Sequence, residues 1–60
     1  MRKELKEQRV KRGWTQEDVA KKCNVTRAFY GHIETGKRNP TLKLAFRIAK
    51  LFNESVENLF

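Results

Sequence analysis

Leu42, Ala45, Ile48, Ala49 and Phe52 recur at intervals of three and four residues, the spacing of one helix face, and make this the most apolar segment of the chain. It is expected to be the floor of the core, starting at Thr41 and stopped by Asn53. Val19, Ala20 and Cys23 mark a second inward face, on a helix that begins with Thr15 as N-cap and carries two acids, Glu17 and Asp18, in its first turn, where the dipole favours negative charge. Asn24 ends that helix by adopting the left-handed conformation. Val25, Tyr30 and Ile33 form a third face on a helix capped by Thr26 and ended by Gly36, and Arg27, Ala28, Gly31 and His32 fall on its opposite side. Residues 2 to 12 are strong helix formers followed by Gly13, but the inward face of this first helix is thin: Leu5, Arg9 and Val10. Ser55 caps a short last helix that presents Val56, Leu59 and Phe60. The stretch Lys37-Arg38-Asn39-Pro40 reads as a loop, because proline and its predecessor resist continuing a helix.

Five short helices and no strand pattern give an all-α expectation, with residues 1 to 60 as one domain. Sixty residues lie near the size at which a core without disulfide or metal becomes marginal, so each apolar residue counts. Cys23 is the only cysteine and His32 the only histidine, too few for a zinc site; no metal or cofactor is expected, and Cys23 reads as a small core residue. No apolar run reaches bilayer length and no signal-peptide pattern follows Met1, so the expected location is cytoplasmic.

Charge changes the picture more than size does. Fourteen Lys and Arg against seven Asp and Glu give a formal charge of +7, which points to a polyanionic partner, a nucleic acid or an anionic membrane. Residues 1 to 12 hold six bases and two acids, and residues 25 to 40 three bases and one acid. A fold can bring these together on one face; alternatively the N-terminal run is a solvated surface. No nucleophile, base and orienting group stand together, so an enzyme is not expected.

Thr15-Gln16, Ala20, Val25-Thr26-Arg27, Ile33-Glu34, Gly36-Lys37-Arg38-Asn39-Pro40-Thr41-Leu42 and Ile48-Ala49-Lys50 together resemble the Cro/C1-type helix-turn-helix family, also called the XRE family, over nearly the whole chain. The resemblance implies a five-helix, lambda-repressor-like fold. Its helix-turn-helix would span about residues 15 to 35, with helix three in the major groove of double-stranded DNA and helix two crossing above it. It also implies residue roles. Arg27, Ala28 and His32 match positions that reach base edges: arginine can pair bidentately with guanine, alanine can touch a thymine methyl, and histidine can donate to guanine or a phosphate. Phe29 either meets sugar or thymine methyl at the groove edge or folds down on helix two. Gln16 matches a phosphate-touching glutamine, Thr26 sits at the helix start as a positioning residue, and Lys37, Arg38 and Asn39 match a loop that meets the phosphate backbone. Arg9 and Glu34 match a partly buried ion pair between helices one and three.

Several positions depart from the family pattern. Tyr30 replaces a buried aliphatic residue, so its hydroxyl needs a partner. Gly31 either lets DNA approach closely or leaves a base unread, and Glu54 stands where a small aliphatic residue is common. Leu44, Leu51 and Phe60 either form a second apolar patch, a possible homodimer interface, or merely widen the core. The function these features imply is a dimeric repressor reading a palindromic operator, with no membrane or small-molecule ligand. An antitoxin or mobile-element regulator, and a protein-interaction or RNA-binding adaptor that no longer reads DNA, remain the alternatives.

Overall fold

The computed structural model describes residues 1–60 as five helices with no strand: α1 Lys3–Lys11, α2 Gln16–Lys22, α3 Arg27–Thr35, α4 Leu42–Phe52 and α5 Val56–Leu59. Four of the five starts are made by a side chain that accepts a backbone N–H three residues on, satisfying a donor that would otherwise be orphaned. Thr15 accepts from Asp18, Thr26 from Phe29, Thr41 from Leu44 and Ser55 from Asn58. At α2 the exchange is reciprocal, because the Asp18 carboxylate takes the Thr15 N–H at 2.9 Å. These contacts from the Thr15 backbone and hydroxyl hold the Asp18 carboxyl below the usual range. Left-handed residues end α2, α3 and α4, with Asn24 at φ 60°, Gly36 at φ 87° and Asn53 at φ 55°.

The core gathers Leu5 of α1, Val19, Ala20 and Cys23 from the α2 region, Tyr30 and Ile33 of α3, and Leu44, Ile48, Ala49 and Phe52 of α4, closed by Leu59. Burial pushes the Cys23 thiol up, so it behaves as an apolar residue. Two positions expected inside are outside: Leu42 is 69% and Val10 56% exposed. On α4 the buried residues are 44, 45, 48, 49 and 52, one continuous arc of the helix wheel. Leu42 lies past the edge of that arc beside Phe46, its i+4 neighbour, which is 59% exposed. Leu44 takes the inner position, so of the two readings left open for it the core is the one it adopts; Leu51 and Phe60 are half-buried against the same core.

The thin face of α1 is made good by polar side chains. Gln8 is buried, and Arg12 donates to its carbonyl and side-chain oxygens and to the Phe52 carbonyl at 2.8 Å. The Arg12 guanidinium also lies over the rings of Phe52 and Trp14, 5.2 and 5.9 Å from their centroids, so one arginine ties α1 to the end of α4. Arg47 does the same for α2, donating to the carbonyl of Cys23 at its C-terminal end.

Candidate nucleic-acid interface

Helix α3 is anchored by Tyr30, Ile33 and Glu34, all at most 1% exposed. Arg27 and Ala28 are exposed, and Gly31 and His32 half-exposed. Ala28 and His32 lie opposite the buried set at 30, 33 and 34 and Gly31 on its flank, whereas Arg27 shares the side of Tyr30 and Glu34 and is exposed as the first residue of the helix. Phe29 lies between the two sides. Its ring packs on the core and also walls an open concavity whose other lining residues are Lys37, Arg38 and Asn39 of the α3–α4 loop. The fold therefore brings the recognition-helix candidate Phe29 next to the three loop residues singled out from sequence. Arg38 is held to α3 through its backbone N–H, which donates to the His32 carbonyl at 3.1 Å. Thr26 spends its hydroxyl on the Phe29 N–H and so fixes where the helix starts.

Beneath this face runs a buried polar chain. Arg9 donates through Nε and Nη2 to the two oxygens of Glu34, both at 2.9 Å, and through Nη1 to the Trp14 carbonyl. The pairing is bidentate, the stronger geometry for a guanidinium and a carboxylate. Burial, the largest single influence, would raise the Glu34 pKa; the Arg9 hydrogen bonds and charge, with Tyr30 and Gln16, together outweigh it and leave the carboxyl below the usual range. The Tyr30 hydroxyl is buried and meets no acceptor in hydrogen-bond geometry. Burial and the neighbouring Glu34 charge push its pKa far up, so it stays neutral.

Gln16 joins the same chain from α2. Its Nε2 donates to Glu34 Oε1 at 3.4 Å, and its amide lies across Gly31, where a Cβ would come within 3.2 Å of Oε1. Gly31 thus has a role inside the protein: it makes room for Gln16. The amide nitrogen keeps a second N–H free for an outside acceptor.

Sequence reasoning missed the part played by the N-terminus. The Arg2 side chain donates to the carbonyl of Ile33 at 2.6 Å and to Asn39 Oδ1 at 2.6 Å, and its backbone N–H donates to the Glu34 carbonyl at 2.8 Å. An arginine ahead of a helix carries no local signal for a partner more than thirty residues away. No three His, Cys, Asp or Glu side chains gather in a metal-binding group, and no helix is long and apolar enough to cross a membrane.

A helix-turn-helix family model matches residues 5–59 of the chain. An uncharacterized HTH-type transcriptional regulator of Archaeoglobus fulgidus is 48% identical over 60 residues, covering all of this chain and 86% of the relative. One from Methanocaldococcus jannaschii is also 48% identical, covering all of this chain and 91% of the relative. One from Bacillus subtilis is 44% identical over 50 residues, 83% of this chain and 66% of the relative. No solved structure matches.

Proposed function

The chain belongs to the Cro/C1-type helix-turn-helix family of transcriptional regulators, and from that premise we propose that it is a repressor that binds a palindromic DNA operator as a homodimer. The observation that carries the DNA reading is the concavity in which Phe29 of α3 meets Lys37, Arg38 and Asn39 of the loop, with Arg27 and Ala28 exposed in the first turn of the same helix. An α-helix fits the major groove, and a flanking loop with two cations and an amide suits the phosphates at its rim. In this reading Arg27, Ala28 and His32 read base edges and Phe29 packs at the groove edge. Gln16, Lys37, Arg38 and Asn39 hold phosphates, Thr26 positions the helix, and the Arg9–Glu34 pair keeps α3 at a fixed height on α1.

Occupancy of a promoter by such a dimer blocks polymerase without any further activity, which is why repression is the mode proposed. Pairing of two copies supplies the second half-site, because three or four base-reading side chains specify few base pairs alone. With Leu44 in the core, the large apolar side chains left exposed are Leu42 and Phe46 on α4 and, amid the basic residues of the N-terminal stretch, Met1 and Val10; we take the α4 pair for pairing. Phe46 lines a groove shared with α5, together with Ala49, Lys50, Glu54 and Val56.

Selection from a randomised duplex library, followed by anisotropy titration of the selected site, tests the reading. One enriched palindrome is expected. Arg27→Ala should cost about 1–3 kcal/mol on that site and relax preference at one base pair, whereas Arg38→Ala should weaken all sequences alike and flatten the salt slope by about one. Equal losses on every sequence for both variants would remove Arg27 from base reading, and no enrichment at all would favour an adaptor.

A further inference from the structure

We propose that Arg2 is a positioning residue for DNA binding, acting through Asn39: it turns the Asn39 amide so that its donor nitrogen faces outward to a phosphate. The inference rests on the DNA reading above and adds a residue to it that lies outside the helix-turn-helix.

An arginine side chain has donors only. The partner it meets on Asn39 must therefore be the amide oxygen, and Arg2 Nη2 lies 2.6 Å from Oδ1. With the oxygen committed to the protein, the NH2 group is left as the free end of an exposed side chain, and no protein acceptor takes it. Asn39 lines the same concavity as Lys37 and Arg38, so the free donor joins two cations on an anion-binding rim. Without Arg2 the amide can rotate, and half of its orientations would present oxygen to the phosphate.

The guanidinium is itself fixed. Nη1 donates to the Ile33 carbonyl at 2.6 Å and reaches the Arg38 carbonyl at 3.3 Å, and the plane lies 5.3 Å from the centre of the Phe60 ring. The Arg2 backbone is held by the Glu34 carbonyl. Ile33 and Glu34 are the last buried residues of α3, so the positive charge also sits at the negative end of the helix dipole. Arg2 thus references the loop to the end of the recognition helix, and its charge is used inside the molecule rather than on DNA.

The test is a double-mutant cycle of Arg2→Ala and Asn39→Ala on the selected duplex. Dissociation constants are taken at several salt concentrations, below the melting midpoint of every variant. Each single change should weaken binding about fivefold, alike on all sequences, the scale of one lost hydrogen bond. In the Asn39→Ala background Arg2→Ala should cost less than about twofold, because its effect runs through the missing amide. The salt slope of Arg2→Ala should match wild type, whereas a direct phosphate contact would flatten it by about one. Losses that multiply, or a flattened slope, overturn the proposal while leaving the DNA reading intact; a wild-type protein that binds no duplex overturns both. If Arg2→Ala does not fold at the assay temperature, Arg2→Met, which keeps the side-chain stem but no donor, replaces it and should weaken binding about fivefold on the wild-type background and less than about twofold in Asn39→Ala, with the wild-type slope. Losses that multiply in that cycle, or a flattened slope, would then overturn the proposal.

Discussion

Gly31 lies inside α3 with helical backbone, where glycine is about 1 kcal/mol less favourable than alanine. What an alanine methyl would meet is the far end of the flexible Gln16 side chain at 3.2 Å, which can yield. Gly31→Ala should therefore raise the melting temperature by up to about 6 °C, read by circular dichroism. The same change pushes Gln16 off Glu34 and should weaken DNA binding about threefold. A variant that melts lower than wild type would show the Gln16 contact to be rigid. Glu34 argues in the opposite direction. Its folded-state pKa is depressed, so its contribution to stability is complete above the ordinary glutamate range and is lost as pH falls through the lower folded value. Glu34→Gln leaves the Arg9 charge uncompensated and should cost about 3 kcal/mol near neutrality. It should also flatten the fall in stability between about pH 5 and pH 2, with Asp18 left to supply what slope remains. Urea unfolding across that range checks both, and an unchanged slope would mean the pair is solvated in the folded state.

Helix number, order and caps were legible because each rests on local chemistry. Thr15, Thr26, Thr41 and Ser55 cap the helices they were expected to cap, and Asn24, Gly36 and Asn53 take the left-handed ends. The Arg9–Glu34 pair was legible only through the family resemblance, since nothing in the spacing of two charges 25 residues apart announces a bond. Periodicity failed where an apolar stripe is wider than the surface it can cover. Residues 42, 44, 45, 46, 48, 49, 51 and 52 of α4 are all apolar, and which edge faces inward depends on where α1 and α5 pack. Leu44 won that competition over Leu42, and Val10 lost its place on α1 to Gln8 and Arg12. The arginine clamps were invisible for a related reason: Arg2, Arg12 and Arg47 find backbone carbonyls at helix ends, and a carbonyl has no sequence signature. The exposure of Ala28 and His32 on α3 was readable, because they lie opposite Tyr30 and Ile33 on the helix wheel.

The whole molecule carries +7, so two copies repel unless they meet on a face whose charge is balanced. In the proposed function the cationic loop and α3 face DNA, which leaves the other faces for pairing. The groove between α4 and α5 has Lys50 on one wall and Glu54 and Glu57 on the other, with Phe46 exposed beside it. Under a two-fold axis the Phe46 of each copy can enter the groove of the other, and the acids of one copy then oppose the lysine of its partner. A pairing of ordinary size would cover about one fifth of the 4084 Å² surface, which the remaining faces can spare without touching the DNA side. Because Phe46 is mostly exposed in the single chain, Phe46→Glu should leave the melting temperature within about 2 °C of wild type, as surface changes usually do. It should convert a sedimenting dimer to a monomer and remove cooperative binding to the palindrome while sparing binding to one half-site. A Phe46→Glu protein that still sediments as wild type would move the contact to another face, and a wild type that stays monomeric on the duplex would end the two-copy reading.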